Sequence, residues 1–269
     1  DNKNSMVSET DSLFDRSNTN SVKVKINNFH LWQGRKDPFL YRLRADLYDE
    51  NGYISDTIES NFGFRTVMVN YSGFYLNGEK YQLRGVSRHQ DRPNKGWAIS
   101  NSEEKEDFDL IYEVGANAVR LSHYQQNETV YDYCDEHGLI LICEVPFISQ
   151  FLNTSKSESN LRDQMAEMVK QNFNHPCVAF WGLMNEIIQH GDSSEIHTTV
   201  KNLQLFVRSL DQTRGTYGAM LAEQPHDSEF NTIPDVIGYN LYGGWYTGTV
   251  EQNGEDIDDI RKYPQNKPL

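Results

Sequence analysis

Hydrophobic positions along this chain keep two different rhythms, one before and one after about residue 80. The first is a period of two. Val22, Val24 and Ile26 alternate with Lys23 and Lys25, and Tyr41, Leu43, Ala45 and Leu47 repeat the pattern ahead of Asn51-Gly52. Such alternation predicts strands with one buried face, and Asn-Gly predicts the tight turn joining two of them. Residues 21–68 therefore read as antiparallel strands of a β-sandwich, too few to complete one. Asn77-Gly78 predicts a further hairpin, between 74–76 and 81–83. Residues 1–20 are rich in Asn, Ser and Asp, lack periodicity, and read as a disordered lead-in.

From residue 81 short apolar runs alternate with amphipathic stretches. Strands are predicted at 82–87, 118–122, 140–145, 178–183, 216–221 and 236–241. Several are nearly continuous apolar runs, as parallel strands covered on both faces should be. Helices are predicted at 102–114, 128–137, 160–173, 194–210 and 256–262. Gly115 and Gly138 stop the first two, and Asp192 with Glu195 forms a capping-box pattern for the fourth.

Repeated βα units build either a doubly wound sheet or a barrel. No Gly-rich phosphate loop follows the first strand, against a nucleotide-binding sheet. Polar residues instead gather just after the strands: Arg88-His89-Gln90-Asp91, Ser122-His123-Tyr124, Glu144, Asn185-Glu186, and Asn240 with Tyr242. A barrel assembles its active site on that face. The expected fold is α/β, an incomplete (β/α)8 TIM barrel over 69–269, preceded by lead-in and partial immunoglobulin-like sandwich over 1–68. Six strands are complete and Pro268-Leu269 reads as the approach to a seventh. The chain is thus expected to be part of a longer polypeptide.

Composition narrows the chemistry. Against 25 Lys and Arg stand 39 Asp and Glu, a net charge of −14. Most of this surface would repel a phosphate backbone, so nucleic acid is not expected as a partner. No apolar run is long enough for a bilayer, and no membrane partner is expected. Cys134, Cys143 and Cys177 lack zinc-like spacing and read as buried free thiols. Fifteen Tyr and 4 Trp suit sugar stacking, and suit a large core equally well.

The most specific constellation is Phe180-Trp181-Gly182-Leu183-Met184-Asn185-Glu186. A carboxylic acid held at a strand end among apolar neighbours can donate its proton to a leaving oxygen, and Asn185 can bond a sugar hydroxyl. Taken alone, Asn-Glu is equally an ordinary opening to the next loop.

From Leu31 onward the chain resembles glycoside hydrolase family 2, most closely its β-galactosidase branch. The resemblance rests on Leu31-Trp32, Phe62-Gly63-Phe64-Arg65, the run from Leu83 to Asp91, the run from Gly115 to Tyr124, Asn174-His175-Pro176, Trp181, Asn185-Glu186, and the run from Gly238 to Tyr246. It implies a retaining, two-step mechanism on a β-galactoside, with Glu186 as general acid/base. A second carboxylate, a Glu at the end of strand seven beyond this sequence, would be the nucleophile. It further implies that Asn185 meets the sugar 2-hydroxyl, that His89, Asp91 and His123 bind substrate, and that Tyr242 sits beside the nucleophile. Trp245 is expected as a stacking wall or a core residue. Arg120 would orient neighbouring carboxylates or pair structurally, and Glu144 would support the site.

Some members hold magnesium after strand three; Pro146-Phe147-Ile148-Ser149-Gln150 offers neither carboxylate nor imidazole, so no metal and no cofactor is expected. β-Glucuronidase, β-mannosidase and a non-catalytic carbohydrate-binding fragment are the alternatives, and a homo-oligomeric full-length protein is compatible with all of them.

Overall fold

The structure, a computed structural model, describes residues 6–13, 21–263 and 268. Most of the predicted lead-in, 1–5 and 14–20, and Leu269 of the predicted seventh strand lie outside the described residues.

After a single 3-10 turn at Gly34–Lys36 comes a two-stranded antiparallel hairpin, β1 (Tyr41–Tyr48) with β2 (Ile54–Phe62). Asp49 closes its turn by accepting the N–H groups of Asn51 at 2.9 Å and Tyr53 at 2.8 Å. Only the base of the hairpin is packed: Tyr41 sits 5.7 Å from Phe62 and 5.0 Å from Phe39. The predicted sandwich is therefore represented by one hairpin. Residues 21–26 form no strand, despite their alternation, because no strand among the described residues pairs with them.

A three-stranded meander follows: β3 (Val67–Asn70), β4 (Gly73–Leu76) and β5 (Glu79–Lys80). Asn77 and Gly78, both at positive φ (54° and 81°), make the tight turn between β4 and β5. The turn pairs Leu76 with Glu79, so β5 starts two residues before the predicted 81–83.

The main sheet has six parallel strands in sequence order: β6 (Gly85–Arg88), β7 (Ala118–Leu121), β8 (Ile140–Glu144), β9 (Val178–Asn185), β10 (Gly215–Leu221) and β11 (Val236–Asn240). Neighbour-to-neighbour parallel order with intervening helices is the arc of a TIM barrel. Beyond β11, the carbonyl of Pro268 accepts the Ile237 N–H at 3.2 Å.

The helices are α1 (Asn101–Glu113), α2 (Glu128–His137), α3 (Ser155–Asn172), α4 (Ser194–Leu210) and α5 (Gln252–Ile260). Ser100 and Glu103 form a full capping box on α1, and Gly138 at φ 75° ends α2. Two helix starts and one cap differ from expectation. α3 starts five residues early, because Thr154 caps a wholly polar first turn that shows no periodicity. α4 is capped by Ser193, while Asp192 pairs with His197 Nε2 at 2.7 Å. α5 begins at Gln252 rather than 256.

β9 is buried along its whole length, and its Trp181 donates to Asp211 at 2.9 Å. The three cysteines are buried and unpaired, and burial pushes their thiols up. No helix of the described residues is long and apolar enough to cross a membrane.

The segment before the meander seals the amino-terminal side of the arc. Trp32 is fully buried and donates to Asp135 O at 2.8 Å. Arg65 donates to the carbonyls of Pro176 at 3.0 Å and Val178 at 2.6 Å. Burial, with Arg214 nearby, holds the Arg65 guanidinium down at about 10, still a cation at neutral pH. Asp135 also accepts from Cys177 N–H at 2.9 Å and meets His175 Nδ1 at 2.6 Å, so the Asp135–His175–Cys177 cluster is a knot of this seal, on the face opposite Glu186.

Replacing Trp32 with Ala removes a large buried side chain and leaves Asp135 O without its donor. Denaturant unfolding is expected to show a loss of about 3–5 kcal/mol. A loss below about 1 kcal/mol would mean that this seal contributes little.

Candidate active site

Alternation along parallel strands sends every second side chain into the arc. At the carboxyl ends those positions hold Arg120 on β7, Glu144 on β8, Asn185 at the end of β9 and Asn240 at the end of β11. The Arg120 guanidinium binds all three partners. Its Nε donates to Glu144 Oε1, Nη2 donates to Glu144 Oε2 at 3.2 Å and to Asn185 Oδ1 at 2.7 Å, and Nη1 donates to Asn240 Oδ1 at 3.2 Å. Despite burial, which disfavours its charge, the adjacent Glu144 raises the pKa of Arg120 above its ordinary value.

This pairing orients two amides. Arg120 only donates, so Asn240 must turn its oxygen toward it and its nitrogen away. That nitrogen donates to Glu186 Oε1 at 2.6 Å and to Asn185 Oδ1 at 3.0 Å. Asn185 Oδ1 thus accepts twice, and its Nδ2 has no hydrogen bond among the described residues. Glu186 Oε2 is likewise left for a ligand.

Glu186 follows β9 with φ 52°, a left-handed conformation uncommon for a residue with a side chain. Its N–H donates to Ala219 O at 2.9 Å, and Asn185 N–H donates to Phe147 O at 2.9 Å. These bonds hold a strained backbone where the chain turns off the sheet, a placement common at functional sites.

Gly182 faces Glu144 in register, and a methyl group there would overlap the Glu144 side chain. The glycine makes room for the carboxylate. Glu144 is then bounded by His123, whose Nδ1 lies 2.8 Å from Oε2. The His123 and His89 rings meet edge to face at 5.2 Å. Burial, followed by neighbouring His123, lowers the pKa of His89, with Asp91 opposing. Asp91 is exposed beside it, without a hydrogen bond among the described residues.

On the far side Tyr242 is raised by burial and by the charge of Glu186. Its ring packs 5.0 Å from Tyr246, which neighbours Trp245 at 6.3 Å. Trp245 is 79% exposed, so it stands on the rim and not in the core. Tyr217 lies below Arg120, 5.7 Å from ring to guanidinium, and burial pushes its hydroxyl up to about 12.

All nine residues singled out from sequence thus sit on one face, with Asp91 and Trp245 outermost. Three contributors had no assigned role: Asn240, Tyr217 and Gly182. Asn240 was visible as a polar strand end, and Gly182 as a glycine inside an apolar strand run, a feature it shares with Gly218 and Gly238. Tyr217 carries no local signal.

Residues 67–269 match the family described as "Glycosyl hydrolases family 2, TIM barrel domain", and residues 1–65 match "Glycosyl hydrolases family 2". The chain belongs to glycoside hydrolase family 2. A β-glucuronidase of Bacteroides fragilis is 34% identical over 91% of this chain and 35% of its own length. A β-galactosidase of Thermoanaerobacter pseudethanolicus is 34% identical over 81% of the chain and 28% of its own. Among solved structures, an FMN-binding β-glucuronidase from Facaelibacterium prausnitzii L2-6 superposes with a TM-score of 0.86 at 39% identity, over 91% of this chain and 38% of that one. The family 2 chain described here spans about a third of the length of these relatives.

Two outcomes follow from this geometry. Gly182→Ala, in a polypeptide extended to the length of the relatives, is expected to lower kcat/KM by about a hundredfold through displacement of Glu144 and Arg120. Undiminished kinetics would show that the close approach is not required. His89 titrates below its unfolded value, so the unfolded chain binds more protons between the two. Its contribution to stability is present above about pH 6.5 and is lost as pH falls through the lowered value. Chemical denaturation of His89→Asn across pH 4–8 should lack this component, and an unchanged profile would contradict it.

Proposed function

We propose that this chain carries the acid/base half of a retaining β-glycosidase, with Glu186 as the proton donor. The observation that carries the reading is the 2.6 Å bond from Asn240 Nδ2 to Glu186 Oε1. It occupies one oxygen and leaves Oε2 to hold the proton, in a direction fixed through Arg120. In the first step a second carboxylate, about 5–5.5 Å away, bonds to the anomeric carbon as the glycosidic bond breaks. The Glu186 proton passes to the leaving oxygen. In the second step Glu186 takes a proton from water as the water oxygen displaces that carboxylate. Both Glu144 oxygens are engaged by Arg120 and His123, so Glu144 is read as support. The nucleophile is assigned, from the family resemblance, to a Glu following β11 on a seventh strand.

In the same reading Asn185 Nδ2 donates to the sugar 2-hydroxyl, His89, Asp91 and His123 line the glycone, Tyr242 sits beside the nucleophile, and Trp245, exposed on the rim, is a stacking wall. Residues 1–68 and 69–269 are taken as sandwich and barrel portions.

For the sugar, the Arg88-His89-Gln90-Asp91 loop supports a β-galactoside. A β-glucuronide has equal support, because the relatives named above include two β-glucuronidases. Arg120 is committed to Glu144 and two amides, so a uronate carboxylate would need a cation other than Arg120.

Nitrophenyl β-galactoside, β-glucuronide and β-mannoside, supplied to the extended polypeptide, separate these readings. Hydrolysis of either of the first two is expected. Glu186→Gln should lower kcat about 10²–10⁴-fold on substrates with poor leaving groups. Normal turnover of those substrates by Glu186→Gln would end the assignment.

A further inference from the structure

The loop after β6 is held in a way that the chemistry above does not use. Arg88, the last residue of β6, is buried; its Nη2 lies 2.5 Å from Glu104 Oε2 and 2.6 Å from Asp107 Oδ2. Its Nη1 donates to Gln126 Oε1 at 2.7 Å, and Gln126 returns a bond to Arg88 O at 2.9 Å. Four residues later, Arg92 Nη2 donates to Asp107 Oδ1 at 2.6 Å and to Glu103 O at 2.9 Å. Arg92 Nη1 donates to Glu106 Oε2 at 2.8 Å. Asp107 therefore spends one oxygen on each arginine.

Between those arginines lie His89, Gln90 and Asp91. Gln90 is fixed on its own account: its N–H donates to Tyr124 Oη at 3.0 Å, and its side chain accepts from Asn127 N–H at 2.8 Å. His89 and Asp91 make no hydrogen bonds among the described residues. His89 meets the His123 ring edge to face at 5.2 Å, and the backbone on either side of His89 and Asp91 is held at Arg88, Gln90 and Arg92.

We propose that Asp107 is a positioning residue for sugar recognition, clamping Arg88 to Arg92 so that His89 and Asp91 are presented to the glycone. This rests on the functional reading above.

Degrees of exposure separate Asp107 from its neighbours. Glu106 is 64% exposed, so its pair with Arg92 is screened and worth little. Glu104 is fully buried under Arg88, so replacing it alters the interior of the fold and does not isolate the loop. Asp107, 23% exposed, is the one carboxylate among the described residues that joins the buried pair to the loop. Its loss should free the loop while Glu104 and Gln126 still hold Arg88. The helix that carries it is itself anchored by the Ser100–Glu103 capping box, so the clamp has a rigid base.

A double-mutant cycle in the extended polypeptide tests this. Asp107→Asn is expected to raise KM about tenfold with kcat within about twofold, a loss of glycone binding. If Asp107 acts through His89, the same change in a His89→Ala background should add less than about twofold. Arg92→Gln, which opens only the loop side, is expected to show the same coupling and covers the case in which Asp107→Asn fails to fold. Glu106→Gln should leave KM unchanged. Additive effects of Asp107→Asn or Arg92→Gln with His89→Ala, or equal losses of KM and kcat terms that track melting temperature, would overturn the proposal while leaving the glycosidase reading intact. Absence of hydrolysis by the unmutated polypeptide would instead overturn that reading, and this proposal with it.

Discussion

The site depends on one cation, the Arg120 guanidinium, whose side chain is only 13% exposed. Arg120 sits on β7 with Glu144, Asn185 and Asn240 disposed around its fork, and a guanidinium offers five donors in a fixed plane. A charge removed from water must be paired and hydrogen-bonded, and Glu144, itself buried, supplies the countercharge. Removing either partner alone would leave the other uncompensated, at a cost of about 3–5 kcal/mol. The same fork decides which way two amides point. Through Asn240 it reaches Glu186, so the direction of the Glu186 carboxylate is fixed from the interior of the arc.

The scaffold makes that arrangement affordable. Arg120, Glu144, Asn185 and Asn240 come from four strands, and a parallel sheet in sequence order places their ends on one face. β9 contributes most: apolar along its length, it carries Gly182 where Glu144 needs room and then turns sharply at Glu186. On the opposite face Trp32, Arg65 and Arg214 close the strand starts by donating to backbone carbonyls. Stability and chemistry thus occupy opposite ends of the same strands.

Much of this was readable from the residues, for identifiable reasons. Short apolar runs alternating with amphipathic stretches located the six parallel strands, and several of those runs are nearly continuous because burial on both faces leaves that signature. Polar residues after those runs marked the site face. Signals failed where structure is decided elsewhere. Residues 21–26 alternate well, yet a strand needs a partner that alternation cannot supply. The early start of α3 is set by the Thr154 cap and not by periodicity. Tyr217 and Asn240 acquire their partners only when β10 pairs with β9 and β11 with β10. The Arg88–Asp107–Arg92 clamp spans a helix boundary, so spacing alone did not reveal it.

The central claim is that Arg120 directs Glu186 through Asn240. The most direct measurement is kcat/KM of Arg120→Lys against the unmutated extended polypeptide, across aryl β-glycosides of graded leaving-group pKa. A lysine keeps the charge but lacks the planar fork. The account predicts a loss that grows steeply as the leaving group worsens, because a misdirected acid matters most where protonation is needed. A loss of equal size for every leaving group, or no loss, would contradict it.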